Sequence, residues 1–145
     1  MKKQFMVALV VLLSVGLLLA GCGGGDKAKP AAPASNEIKI GGNFEMTGGI
    51  ANFGKQTVNG IQLAFKEINA AGGVNGKQLK LILADNKSEP AEATNAVTKL
   101  ITQDKVVAVL GPVASSNVLA TLQVAQDNKI PVLTATGTNE KITVD

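Results

Sequence analysis

The chain has 145 residues, a net charge of +3 and 14 lysines, and it contains no Arg, His, Trp or Tyr. The lack of histidine excludes a histidine-dependent catalytic triad and a histidine metal site within these residues. Nucleic-acid-binding surfaces normally carry arginines and stacking aromatic rings, so no nucleic-acid partner is expected. The single cysteine, Cys22, excludes an internal disulfide.

The first 21 residues have the composition of a targeting segment. Lys2 and Lys3 precede an apolar stretch that runs from Phe5 to Ala20. This stretch is shorter than the roughly 20 apolar residues that span a bilayer. It therefore indicates a secretory signal peptide over residues 1–21. An uncleaved membrane anchor is the alternative.

The end of this segment carries a second signal. The sequence Leu19-Ala20-Gly21-Cys22 resembles the lipobox of bacterial lipoproteins, in which the cysteine is lipidated and becomes the mature N-terminus. The resemblance implies lipidation at Cys22. Residues 22–36 are rich in Gly, Ala, Pro and Lys, a composition that predicts a flexible tether between a lipid anchor and a folded domain.

From residue 37 onward, strand-like and helix-like patterns alternate. Short aliphatic and β-branched runs predict strands at 38–43, 79–83, 106–110 and 130–133. Apolar residues at helical spacing predict helices at about 54–71, from residue 88 onward, and from 115 to about 128. Repeated strand–helix units predict an α/β fold, an open parallel sheet with right-handed crossovers and helices on both faces.

The carboxyl ends of the strands are where open parallel sheets bind ligands. The most informative of these ends is that of the strand over 106–110. Gly111-Pro112 stops this strand, and Ser115, Ser116 and Asn117 come next. Hydroxyls at a helix N-terminus, which carries partial positive charge and free N–H groups, suit a carboxylate or phosphate. We expect a ligand there. The alternative for Ser115 is a simple helix cap.

Other candidate motifs do not match the sequence patterns of nucleotide-binding loops, catalytic nucleophiles or metal sites. The glycines at 41–42 lack the G-x-G-x-x-G spacing, and residues 72–77 have one residue too few for a P-loop and precede a strand. Ser115 lacks the G-x-S-x-G context of a nucleophile. Asp85 follows a strand without a second carboxylate beside it, so we expect solvated loop polarity there. No catalytic residue, metal site or cofactor is predicted.

Several stretches resemble the leucine/isoleucine/valine-binding proteins, the extracytoplasmic solute receptors of branched-chain amino acid ABC transporters. They are I-K-I-G-G-N-F-E-M-T-G from Ile38, N-G-I-Q-L-A-F-K-E-I-N-A-A-G-G-V-N-G-K from Asn59, the strand ending at Asp85, G-P-V-A-S-S from Gly111 and I-P-V-L-T-A-T-G-T from Ile130. That family has two α/β lobes that clamp the ligand between them. The resemblance implies that residues 37–145 form an incomplete N-terminal lobe.

The resemblance also implies roles for individual residues. In the family, the first lobe holds the α-carboxylate and the amine of an amino acid. By position, Ser115 contacts the carboxylate with Ser116 beside it, and Thr138 reaches both carboxylate and amine. A backbone carbonyl at Thr136 accepts from the amine, and Phe53 flanks the ligand where relatives commonly have tyrosine.

The function that the resemblance implies is capture of an amino acid, branched-chain or similarly aliphatic, for an ABC importer, with hinge closure of two lobes around the ligand. The implied partners are the amino acid, the permease subunits and, through the lipid anchor, the extracytoplasmic face of the cell membrane. Two alternatives stay open. One is a ligand-sensing receptor module of the same fold coupled to signalling. The other is a lipoprotein enzyme whose catalytic residues come from a second lobe.

Overall fold

The structure, a computed structural model, describes residues 36–143. The strands are β1 (Glu37–Phe44), β2 (Gln78–Asp85), β3 (Ala108–Leu110) and β4 (Val132–Leu133). The helices are α1 (Ala51–Ala70), α2 (Pro90–Thr102) and α3 (Ser115–Asp127), followed by a 3₁₀ turn at Glu140–Ile142. The predicted signal peptide, the lipidation site at Cys22 and all of the tether but Asn36 lie outside the described residues. No helix within 36–143 combines the length and apolarity needed to cross a bilayer.

The four strands form one parallel sheet in the order β2-β1-β3-β4. The predicted open parallel α/β sheet is therefore confirmed. Phe44 at the end of β1 pairs with Asp85 at the end of β2. Leu110 at the end of β3 pairs with Leu133 at the end of β4. This register brings the loops that follow all four strands to one edge of the sheet.

Three predicted boundaries differ from the structure. β3 begins at Ala108 because the N–H of Val106 donates to Leu100 O at 3.2 Å, at the end of α2, and not to a neighbouring strand. β4 begins at Val132, one residue after Pro131, which has no N–H to donate. α1 begins at Ala51, three residues before the predicted start at about Gly54. A Cβ at Gly54 would lie 2.1 Å from the carbonyl oxygen of Glu45, so glycine is needed for α1 to approach β1.

Each face of the sheet is covered by different helices. α2 and α3 pack against one face, where the buried core includes Val97, Leu100 and Val109. α1 alone packs against the other face, around Phe44 and Val58. Burial of these aliphatic and aromatic side chains is the main term that stabilises the domain.

The face beneath α1 is only partly covered. Of the apolar stripe that sequence analysis assigned to α1, Val58 is buried, whereas Ile68 is 38% exposed. Between α1 and the ends of β3 and β4 lies an apolar groove of about 240 Å³, lined in part by Phe65 and Leu133. Leu133 is 68% exposed. The predicted helix exists, but only the part of its apolar stripe at Val58 joins a closed core, and the part from Ile61 to Ile68 faces this groove.

Candidate ligand-binding site at the carboxyl ends of the strands

Ser115 is the first residue of α3 and joins two loops at the carboxyl edge of the sheet. The N-cap of α3 is Ala114, and no side chain caps this helix. The Ser115 Oγ instead accepts hydrogen bonds from the backbone N–H groups of Thr138, at 3.2 Å, and Asn139, at 3.3 Å. The reading of Ser115 as a helix cap is therefore wrong, because its hydroxyl turns toward the loop after β4.

Two threonines strengthen the same junction. Thr136 Oγ1 donates to the carbonyl of Val113 at 2.9 Å. Thr134 Oγ1 donates to the carbonyl of Pro112 at 2.8 Å, across a turn that contains the cis Gly111–Pro112 peptide. Three hydroxyls thus hold the loop after β4 against the loop after β3. The structure brings Ser115 together with Thr136 and Thr138, the latter 23 residues further along the chain.

The other two predicted site residues lie at the same edge but form no part of this junction. Ser116 follows Ser115 in the first turn of α3 and is exposed. Phe53 lies in the first turn of α1, after the loop that leaves β1, and its side chain is 56% exposed. An aromatic ring this open offers an apolar surface to a molecule that approaches the strand ends.

Glu45 is a structural residue of the site that sequence analysis missed. It follows β1 directly and is 0% exposed. Its Oε2 accepts from the N–H of Val113 at 3.0 Å, and its Oε1 accepts from the N–H of Ala114 at 3.2 Å and from Asn117 Nδ2 at 2.8 Å. A buried carboxylate is costly unless such donors compensate it. Glu45 therefore fixes the residues that lead into Ser115.

Three buried asparagines extend this polar cluster. Asn43 Nδ2 donates to the carbonyl of Ala93 at 2.9 Å, and Asn86 Nδ2 donates to Asn43 Oδ1 at 3.1 Å. Asn117 Nδ2 donates weakly to Asn86 Oδ1 at 3.4 Å. All three asparagines are 0% exposed. Because they belong to β1, the loop after β2 and α3, they connect three separate chain segments beneath the site.

Asp85 organises the loop after β1, which corrects the expectation of solvated loop polarity. Its carboxylate accepts from the N–H groups of Met46, Thr47 and Lys87 at 3.0, 3.1 and 2.8 Å and from Thr47 Oγ1 at 2.7 Å. Burial alone acts to raise the pKa of Asp85, but these hydrogen bonds to the ionised form outweigh it and lower the pKa. Between residues 36 and 143, no group of three or more His, Cys, Asp or Glu side chains is placed to hold a metal ion.

A family described as periplasmic binding protein matches residues 37–144, nearly the whole described range. The chain belongs to this family. Membership places the chain among the extracytoplasmic binding proteins.

Individual relatives of this periplasmic binding protein agree. An amino acid binding protein of Pseudomonas aeruginosa is 37% identical over 107 residues, which cover 74% of this chain and 29% of the relative. The crystal structure of a branched-chain amino acid transporter substrate binding protein from Streptococcus pneumoniae, in complex with isoleucine, is 45% identical with a TM-score of 0.72 and covers 74% of this chain and 31% of that one. The resemblance to leucine/isoleucine/valine-binding proteins is confirmed.

One relative carries a different class of ligand. A solute binding protein of an ABC transporter from Rhodopseudomonas palustris BisB5, solved in complex with 3,4-dihydroxybenzoic acid, is 31% identical with a TM-score of 0.65. It covers 70% of this chain and 28% of that one. The chain spans about 30% of the length of the relatives that it matches.

Proposed function

We propose that this chain provides the first lobe of an extracytoplasmic receptor that binds an aliphatic amino acid and delivers it to an ABC importer. The observation that carries the proposal is the junction of Ser115, Thr136 and Thr138 at the carboxyl edge. It occurs in a chain 45% identical to a relative solved with isoleucine. The proposed layout is a signal peptide over 1–21, a tether over 22–36 and the lobe from residue 37.

The Ser115 hydroxyl is suited to donate to a carboxylate. A hydroxyl has one proton and two lone pairs. Both backbone N–H groups that contact Ser115 Oγ are donors, so its own proton is directed elsewhere. A carboxylate placed above the start of α3 would receive that proton in a charge-assisted hydrogen bond.

Thr138 and Thr136 would complete the polar half of the site. The N–H of Thr138 is engaged by Ser115, so its exposed hydroxyl is the group that would reach the ligand's carboxylate or ammonium. The Thr136 side chain is anchored to the carbonyl of Val113, which fixes its backbone. We propose that the Thr136 carbonyl accepts from the ammonium.

Phe53 would contact the apolar part of the ligand. Full burial of an exposed large apolar side chain contributes about 1.5–3 kcal/mol, and burial of the 56% of Phe53 that is exposed would contribute a little over half of that. A second lobe would close over the ligand, and lipidation at Cys22 would keep the receptor close to its permease.

Binding to the full-length protein tests this function. We expect calorimetric titration, after removal of bound ligand by unfolding and refolding, to show binding of leucine, isoleucine or valine and none of glucose. Phe53→Ala should weaken that binding by about 10-fold, since roughly 1.4 kcal/mol corresponds to each factor of ten.

Leu63→Ala is the matched control for this variant. Leu63 is 58% exposed, much like Phe53 at 56%. It lies ten residues further along α1, about 15 Å away along the helix axis. Its replacement should leave affinity unchanged. A parent protein that binds no amino acid would refute the proposal.

A further inference from the structure

Glu45 places a buried negative charge at the N-terminus of α3. Its side chain is 0% exposed, and both carboxylate oxygens act as acceptors, toward Val113 N, Ala114 N and Asn117 Nδ2. A protonated carboxyl would have to donate from one of these oxygens, and each of them faces an N–H donor. The group therefore fits its surroundings as an ionised carboxylate.

This charge reverses the electrostatic character expected of a helix N-terminus. The aligned peptide dipoles of a helix contribute roughly half a positive charge at that end. One full negative charge more than offsets it. Ala114, which donates to Glu45 at 3.2 Å, is adjacent to Ser115. Consecutive Cα atoms are about 3.8 Å apart and a serine Oγ lies about 2.4 Å from its own Cα, so the carboxylate lies within about 11 Å of the Ser115 hydroxyl.

The charges of the loop after β2 do not restore a positive site. Asp85, at the end of the adjacent strand β2, adds a second carboxylate at this edge, held in its ionised form by four hydrogen bonds. The cation of the same loop, Lys87, is exposed and lies 3.7 Å from Glu92. An isolated carboxylate ligand at Ser115 would therefore approach a negative environment, whereas one that carries its own ammonium would be balanced.

We propose that Glu45 is a specificity-determining residue that selects net-neutral, zwitterionic ligands over net anions at this site. The inference rests on the proposed function and names its ligand class. The fold alone does not dictate the choice, because a relative was solved with 3,4-dihydroxybenzoic acid, which has no amino group. In this chain, the buried carboxylate makes an ammonium on the ligand a requirement.

A pair of ligands that differ only in the ammonium tests the proposal. Leucine and 4-methylpentanoate share the same aliphatic chain and carboxylate. In the full-length parent, leucine should bind far more tightly, partly through contacts of the ammonium itself. Glu45→Gln keeps the side-chain shape but removes the charge. The ratio of the two dissociation constants should then fall on the order of 10-fold, from the Coulomb interaction at about 11 Å and an effective dielectric constant near 20.

Glu140→Gln is the matched control, because it removes one exposed carboxylate two residues from Thr138. Water screens that charge, so the ratio should not change. If Glu45→Gln weakens the binding of both ligands equally, or leaves the ratio of their dissociation constants unchanged, the selectivity role is overturned. Amino-acid binding by the parent would not be affected by that result. A parent that binds neither leucine nor any other amino acid would instead refute the proposed function. If Glu45→Gln does not fold, the parent decides: 4-methylpentanoate bound within 10-fold of leucine overturns the proposal.

Discussion

Replacement of Ser115 by Asp separates the ligand contact of this residue from its structural contact. The Ser115 Oγ holds the loop after β4 through two backbone N–H groups. An Asp carboxylate can accept from the same two groups, so the loop should stay in place. The side chain of Ser115→Ala cannot accept either hydrogen bond. Each bond contributes about 0.5–1.5 kcal/mol, and a value near the middle of that range is expected because the site is partly exposed. The free energy of unfolding should therefore fall by roughly 1–2 kcal/mol.

Ser115→Ala should be the less stable of the two variants, but Ser115→Asp should lose more ligand affinity. Ser115→Ala removes a donor to the ligand's carboxylate worth roughly 1.5–3 kcal/mol, so the dissociation constant should rise about 10- to 100-fold. Ser115→Asp places one carboxylate against another and should abolish binding. Full-length variants are compared by calorimetric titration with leucine and by urea unfolding without ligand.

Thr98→Asp is the control for added charge. Its hydroxyl, like that of Ser115, bonds to backbone, at 2.8 Å to Thr94 O, but it is exposed on α2. This variant should bind leucine like the parent. If Ser115→Asp also binds leucine like the parent, Ser115 does not contact the ligand and the reasoning fails.

Two further predictions concern Asp85 and Cys22. The lowered pKa of Asp85 means that its ionised form stabilises the folded protein above its ordinary pKa of 3.8, a contribution that is lost as pH falls through the lower folded value. Urea unfolding below about pH 4 should therefore show a steeper loss of stability in the parent than in Asp85→Asn, and equal slopes would contradict this origin. Cys22→Ser, expressed in its native host, should leave the membrane fraction or stay unprocessed. Unchanged partitioning and migration on a gel would rule out lipidation.

Local sequence signals predicted the elements of this fold well where short-range chemistry decides them. Two helix starts were predicted to within a residue or two. The signals were Pro90 in the first turn of α2 and the stretch from Pro112 to Ser115 before α3. The start of α1 was placed at Gly54, three residues too late, because a glycine that marks a helix boundary and a glycine required for close packing look alike in sequence. Only the contact with the Glu45 carbonyl distinguishes them.

The sequence indicated candidate site residues but not the contacts that support them. The strand-end rule and the family resemblance pointed to Ser115, Thr136 and Thr138. Glu45 could not be found in this way, because its partners Val113 and Asn117 lie 68 and 72 residues along the chain. A charged residue directly after a buried strand was the one available signal. Periodicity also could not show that part of the α1 stripe faces an open groove, since coverage depends on what packs above it.

The contacts of the Ser115 hydroxyl have a consequence for the thermodynamics of binding. Because the Ser115 hydroxyl holds the loop after β4 through backbone N–H groups of this same chain, the loop's conformational entropy should be lost during folding and not during association. The hydroxyl that we propose as a ligand contact is thus preorganised by the two backbone N–H groups that it accepts from. Association at this lobe should require little local reordering. The slow, ligand-dependent motion of the whole receptor would then be closure of its second lobe over a surface that is already in its binding conformation.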